Sequence, residues 1–97
     1  MILGIGRLSL HIPESHSLKE KRRVVKSITE RVRTRFNVSI AEVDDQQLWQ
    51  VASIGVVVLS NSSQHCDEML QRVIAFVEQN VQSGYLSDVS TEIMHLD

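Results

Sequence analysis

Residues 17–36 read SLKEKRRVVKSITERVRTRF and combine a strong helix signal with most of the positive charge of the chain. Ser17 is a favourable N-cap residue, and Glu20 three positions later completes the sequence pattern of a capping box. No Gly or Pro interrupts the segment. Apolar residues recur at helical spacing and predict one buried stripe: Leu18, Val24, Val25, Ile28, Val32 and Phe36. The stretch is therefore predicted to be an amphipathic helix.

The side of this helix opposite the stripe is predicted to be strongly basic. Eight of the ten Lys and Arg residues fall within 17–36, which carries +6, whereas the whole chain carries −2 and the remainder −8. A charge distribution this uneven favours an anionic partner. The side chains predicted to contact RNA phosphates are Lys19, Arg22, Arg23, Lys26 and Arg33. An ordinary solvated helix face is the alternative interpretation.

The rest of the chain predicts strands before and after two helices. Residues 2–12 alternate in the manner of a strand, residues 37–44 form a second strand, and residues 49–60 form a third, nearly continuous apolar strand suited to the centre of a sheet. A second helix begins near Ser62 and carries its own apolar stripe, and residues 86–96 form the last strand. The order predicts one ferredoxin-like β-α-β-β-α-β sandwich over residues 1–97, with a four-stranded antiparallel sheet, both helices on one face, and strands one and three central.

Three local features refine this prediction. Gly4 and Gly6 share the inner face of the first strand and leave room for a helix to approach closely. The change of parity between Ile40 and Val43 predicts a bulge near Ala41 and Glu42. Gly84 is expected to reverse the chain after the second helix.

Composition excludes several classes of protein. Cys66 is the only cysteine, so an internal disulfide is impossible and an intracellular location is favoured. No apolar run approaches the roughly 20 residues of a membrane span. The N-terminal residues lack the basic region of a signal peptide. We therefore expect a cytoplasmic protein without a membrane partner.

Residues that could carry chemistry are few. The four histidines, including His11 and His16, show no metal spacing. Glu42, Asp44 and Asp45 form an acidic cluster, and residues two apart on a strand share a face, so a hard cation or acid–base chemistry is conceivable there. Ion pairing of the cluster with Arg7 or with the arginines that end the first helix is the favoured interpretation. No catalytic constellation, metal site or cofactor is predicted.

Two further surfaces are candidate contacts. Ser15, His16 and Ser17 could hold a phosphate at the start of the first helix, although they lack the glycines of a P-loop. Trp49, the only tryptophan, is expected either to pack under its loop or to lie at a contact.

The sheet face without helices is predicted to be apolar. Leu3 and Ile5 lie on it, and the third strand is apolar on both parities. A patch of this kind predicts a homodimer through the open face. The central strands carry no stacking aromatics, so RNA binding through this face is not predicted.

Segments of the sequence resemble a known family. Residues 11–23, HIPESHSLKEKRR, resemble the signature of the YlxP-like bacterial proteins, a domain of unknown function, and the match continues through residues 36–42, the Leu48-Trp49 pair and Gly55. The resemblance implies a ferredoxin-like fold, a bacterial cytoplasmic location and gene neighbours concerned with translation and ribosome maturation. It implies no established enzyme activity. Family members often carry an acid where this chain has Gln47, which argues further against a metal site.

These observations predict a non-enzymatic protein that associates with RNA or a ribosomal particle through the basic helix 17–36, with a role in translation or ribosome maturation. The first alternative is a homo-oligomeric interaction or assembly domain. The second alternative is a small enzyme that uses His11, His16 and the acidic cluster.

Overall fold

The structure, a computed structural model that describes residues 1–97, contains six elements in the predicted order. They are β1 (Ile2–His11), α1 (Leu18–Arg35), β2 (Ser39–Asp44), β3 (Val51–Ser60), α2 (Ser63–Asn80) and β4 (Tyr85–His95). All strand pairs are antiparallel, and the sheet order is β2-β3-β1-β4. The ferredoxin-like fold and the central positions of strands one and three are confirmed. Neither helix is long and apolar enough to cross a membrane.

The two glycines of β1 let α2 approach the sheet closely. A Cβ added at Gly4 would lie 3.0 Å from the Cβ of Cys66 and 3.1 Å from the Cδ1 of Leu70, and one added at Gly6 would lie 3.3 Å from the Cδ2 of Leu70. Larger residues at these positions would push the helix away from the sheet. Residues on the inner faces of β1 and β3 complete the core: Leu8, Leu10, Ala52, Ile54, Val56 and Val58.

The ends of α1 follow the sequence closely. The Ser17 Oγ accepts a hydrogen bond from the Glu20 backbone N at 3.1 Å. The Glu20 Oε2 accepts from the backbone N of His16 at 2.6 Å, one residue earlier than a capping box requires. At the other end, the backbone N of Phe36 donates to the Val32 carbonyl at 2.8 Å. Ser17 and Glu20 therefore form the predicted cap, except that Glu20 accepts from the backbone N of His16 and not from that of Ser17.

The bulge in β2 lies next to its predicted position. The register with β3 shifts between Glu42 and Asp44, and Val43 packs over Gly55, where an added Cβ would lie 2.9 Å from the Val43 Cγ1. The extra residue reverses the parity of the strand. Glu42 lies before the bulge and shares the inner face with Ile40, whereas Asp44 lies beyond it and faces the open side of the sheet. The expectation that these two carboxylates share a face is wrong for this reason.

The connection from α2 to β4 reverses at Ser83. Ser83 has a φ of 61°, the left-handed conformation that non-glycine residues rarely adopt. Gly84 has no positive φ. It is needed because an added Cβ would lie 2.8 Å from the carbonyl oxygen of His11. The prediction that Gly84 supplies the reversal is therefore corrected: Ser83 takes the left-handed conformation, and Gly84 permits close packing.

Candidate nucleic-acid interface

The basic ridge, which we define as Lys19, Arg22, Arg23, Lys26 and Arg33, is exposed along α1. Lys19, Arg22 and Arg23 make no ion pair or side-chain hydrogen bond within the chain. The Lys26 Nζ lies 4.0 Å from the Glu30 Oε1, and both side chains are largely exposed, so this pair neutralises little charge. Arg33 differs, because its Nη2 donates to the Ile40 carbonyl of β2 at 2.7 Å. The free charge of the ridge is therefore concentrated in the first half of α1.

Lys21 lies in the same basic run but is fully buried. Its Nζ donates to the carbonyls of Asp45 at 2.7 Å, Gln46 at 3.3 Å and Val51 at 3.2 Å. The Glu42 Oε2 lies 2.9 Å from the same nitrogen and forms an ion pair with it. Lys21 therefore fastens the start of α1 to the β2–β3 loop and contributes nothing to the exposed ridge.

The sequence contained a signal for this buried position. Lys21 lies four residues before Val25 and seven before Ile28, and both of those side chains are buried. This spacing places Lys21 on the apolar stripe of the helix. Thr29 is also buried beside the stripe and was not predicted there.

Two other cations of the helix serve helix packing. The guanidinium carbons of Arg31 and Arg35 lie 5.5 Å and 5.2 Å from the centre of the Phe76 ring on α2. Arg31 also donates to the backbone carbonyl of Asn80 at 3.2 Å and to its Oδ1 at 3.0 Å. Cation–π contacts thus engage both side chains, and hydrogen bonds additionally hold Arg31.

The acidic cluster is divided among three partners. Asp44 pairs with Arg7 at 3.0 Å, as predicted, and the Asp45 Oδ2 accepts from the Ser53 hydroxyl at 2.8 Å. Glu42 pairs with Lys21 near the start of α1. Of the two predicted sources of partners, Arg7 is therefore confirmed, and no arginine at the end of α1 pairs with the cluster. No group of three or more His, Cys, Asp and Glu side chains is arranged to hold a metal ion.

The ionisation of Asp44 reflects its hydrogen bonds. The backbone N–H of Asp45 and then the Arg7 guanidinium hold the pKa of Asp44 below its ordinary value of 3.8. Because the folded pKa is depressed, the resulting stabilisation is present above pH 3.8 and is lost as the pH falls through the folded pKa. Both side chains are exposed, so this contribution to stability is small.

The second predicted phosphate site, Ser15, His16 and Ser17, is occupied by contacts within the loop. Ser15 is buried, and its hydroxyl donates to the Ser17 carbonyl at 3.0 Å. The Glu20 carboxylate accepts from the His16 backbone N, so a negative group already lies at the start of the helix. An anion there would be repelled by this carboxylate, so these three residues do not form a phosphate site.

Trp49 and the open sheet face remain available for contacts. Trp49 is 54% exposed, so it is not buried under its loop, and the other predicted placement, at a contact with another molecule, stays a prediction. On the open face, Val57, Leu59 and Met94 are exposed, and Leu3 and Ile5 are half-buried. His11 stacks on Tyr85 at the far end of the same face, with ring centres 5.4 Å apart.

Comparison with known proteins places the chain in a family. Residues 3–90 match the family described as "Protein of unknown function (DUF503)". The chain is 42% identical over 77 residues to the uncharacterized protein YlxP of Bacillus subtilis (strain 168), an alignment that covers 79% of this chain and 84% of that protein. A de novo designed protein with a ferredoxin fold, solved by NMR in solution, superimposes with a TM-score of 0.52 at 7% identity, covering 97% of this chain and 84% of the design. The last likeness supports the fold alone. The chain therefore belongs to the DUF503 family and is a relative of the YlxP protein.

Proposed function

We propose that this protein binds RNA through the basic ridge of α1. The observation that carries the proposal is the cluster of Lys19, Arg22 and Arg23, three exposed cations in a chain of net charge −2 that have no partner within the molecule. Unneutralised cations at neighbouring positions attract a dense anion, and the phosphate backbone of a nucleic acid is one. Association with a ribosomal particle, in translation or ribosome maturation, is the setting that we propose for this activity.

The geometry of the ridge favours contact with several phosphates and little preference for a particular RNA sequence. Lys19 and Lys26 are separated by roughly 10 Å along the helix axis, at 1.5 Å per residue. Four cations with free charge lie in this span: Lys19, Arg22, Arg23 and Lys26. Contacts of this kind position a nucleic acid and carry no base information directly.

Neutralising the ridge tests the proposal. In the Lys19→Gln/Arg22→Gln/Lys26→Gln variant, we expect retention of single-stranded RNA on filters to be lost at moderate salt. For the parent, four phosphate contacts predict a slope of log affinity against log salt near −3, from about 0.7 per phosphate, and the variant should retain a slope near −1. The fold should survive, because substitutions at exposed positions usually change stability by within about 0.5 kcal/mol each.

A charge-matched variant on the other helix provides the control. Gln71→Glu/Arg72→Gln/Gln79→Glu changes three exposed residues of α2 and lowers the net charge by the same amount. It should bind RNA like the parent if the ridge is the contact surface. Equal binding by the folded ridge variant and the parent would show that the ridge is only a solvated face. Equal losses in both variants would show a response to net charge alone.

The open sheet face favours a second candidate function, assembly with another copy of the chain. Its apolar half contains Leu3, Ile5, Val57, Leu59 and Met94. Its charged residues are Arg7 and three acids, Asp44, Asp88 and Glu92, so the face repels RNA and suits an apolar protein surface. Pairing of two such faces about a two-fold axis would cover both patches.

The mass in solution tests this assembly. At ~50 μM protein, light scattering should give twice the chain mass, because association depends on protomer concentration. Leu59→Asp, which places a charge on the most exposed side chain of the patch, at 64% exposure, should give a folded monomer. Leu48→Asp, at an exposed loop position outside the patch, should leave the mass unchanged. A monomeric parent at this concentration would exclude the assembly.

A further inference from the structure

A cleft opens directly beside the basic ridge. It has a volume of about 470 Å³ and lies between the first half of α1, the β1–α1 loop and the connection from α2 to β4. This volume falls within the roughly 300–1,000 Å³ of small-molecule sites. Arg23 belongs both to the ridge and to the wall of the cleft. A chain of phosphates on the ridge would therefore pass the mouth of the cleft.

The walls offer an apolar surface and several polar groups with no partner in the chain. Ile12, Val24 and Ile28 supply the apolar part. The hydroxyl of Ser27, the side-chain amide of Gln82 and the hydroxyl of Ser83 make no intramolecular hydrogen bond. Gln82 can donate and accept, as the edge of a nucleobase requires. Ser83 is held in its left-handed conformation at this wall, and strained residues of this kind cluster at functional sites.

The charges of the cleft restrict the ligand. Glu14 and Glu20 line it together with Arg23, so its formal net charge is −1. A free polyphosphate would be repelled by the two carboxylates. A neutral nucleoside is not repelled by the carboxylates, and Arg23 can bind the single negative charge of the phosphodiester attached to it. Carboxylates also accept hydrogen bonds from ribose hydroxyls.

We propose that the cleft receives one unpaired nucleoside of single-stranded RNA while the adjoining phosphate lies on Arg23. This inference rests on the function proposed above and adds a substrate class to it: RNA with at least one base free to leave the stack. Extruded bases are commonly bound in this manner by proteins that read single strands.

Filling the cleft tests the inference. Ser27→Phe, at an exposed helix position on the cleft wall, should weaken binding of a single-stranded ten-nucleotide RNA about tenfold, the effect of losing the contacts of one base. Binding of a fully paired RNA duplex of the same length should be unchanged, because its bases cannot enter. Gln79→Phe, which adds the same ring to an exposed position on α2 outside the cleft, should alter neither affinity. Gln82→Ala should weaken single-strand binding in the same direction and removes no buried contact.

The outcomes separate this inference from the proposed function. Unchanged single-strand affinity in folded Ser27→Phe and Gln82→Ala, with RNA binding still lost in the ridge variant, would overturn the cleft and leave the ridge intact. If the parent binds no RNA, the proposed function fails, and uridine and adenosine at millimolar concentration then serve as probes. Amide NMR shifts at Gln82 and Ser83 would support a nucleoside site that acts without the ridge. Absence of shifts would overturn that site as well.

Discussion

Lys21→Met is expected to lower the free energy of unfolding by about 3–5 kcal/mol, the cost of removing one partner from a buried ion pair. The substitution leaves the Glu42 carboxylate, whose side chain is only 16% exposed, without its counter-ion. It also removes the donor for the carbonyls of Asp45, Gln46 and Val51. Urea unfolding followed by circular dichroism measures the effect as a lower transition midpoint.

Two further variants identify the cause of this loss. Lys19→Met makes the same chemical change two residues earlier at an exposed position and should alter stability by less than about 0.5 kcal/mol. Lys21→Met/Glu42→Gln no longer contains the unpaired carboxylate. Its loss of unfolding free energy should therefore be smaller than the sum of the losses of the two single variants, by a coupling energy of about 0.5–3 kcal/mol. If Lys21→Met were as stable as Lys19→Met, the buried ammonium would not be a stabilising element.

Leu70→Ala is expected to lower the free energy of unfolding by about 2–5 kcal/mol. Leu70 is 1% exposed and fills the space that Gly4 and Gly6 leave on the inner face of β1. Removing its branched end opens a cavity between α2 and the sheet that the rigid strand cannot close. The same urea experiment measures the loss, and Leu48→Ala, at a loop position that is 50% exposed, is the matched control.

A second substitution should partly refill that cavity. The Cβ of Gly6→Ala would lie 3.3 Å from the Leu70 Cδ2, and its next nearest neighbour is the Leu8 Cδ1 at 3.6 Å. In the Leu70→Ala background this tight contact disappears, so Gly6→Ala should be better tolerated there than in the parent. Equal effects of Gly6→Ala in both backgrounds would contradict the proposed packing of α2 against β1.

Local pattern sufficed to predict most of the fold. Ser17, the apolar spacing and the lack of Gly or Pro determine α1 from within its own sequence, and alternation determines β1. The bulge in β2 was predicted one residue too early, because its position depends on Val43 packing over Gly55, a contact between strands. The role of Gly84 likewise depends on a distant partner, the carbonyl of His11, against which its backbone packs.

The ridge could be predicted only in part. Exposure of its five residues follows from helical geometry alone. The engagement of Arg33 with the Ile40 carbonyl and the burial of Lys21 depend on partners that the fold brings from β2 and from the loop that follows it. The cleft was not predicted at all, because its walls come from segments more than 50 residues apart in the sequence.

Lys21 links the basic helix to the β2–β3 loop, and this loop contains the only tryptophan of the protein. Trp49 lies within the segment whose carbonyls, from Asp45 to Val51, surround the Lys21 ammonium. A small rotation of α1 would displace that ammonium and shift the loop with it. Because the indole of Trp49 is partly exposed to solvent, its fluorescence emission is sensitive to such a shift. We therefore expect movement of the basic helix to change the emission of Trp49, so that the helix can be followed in solution without a label.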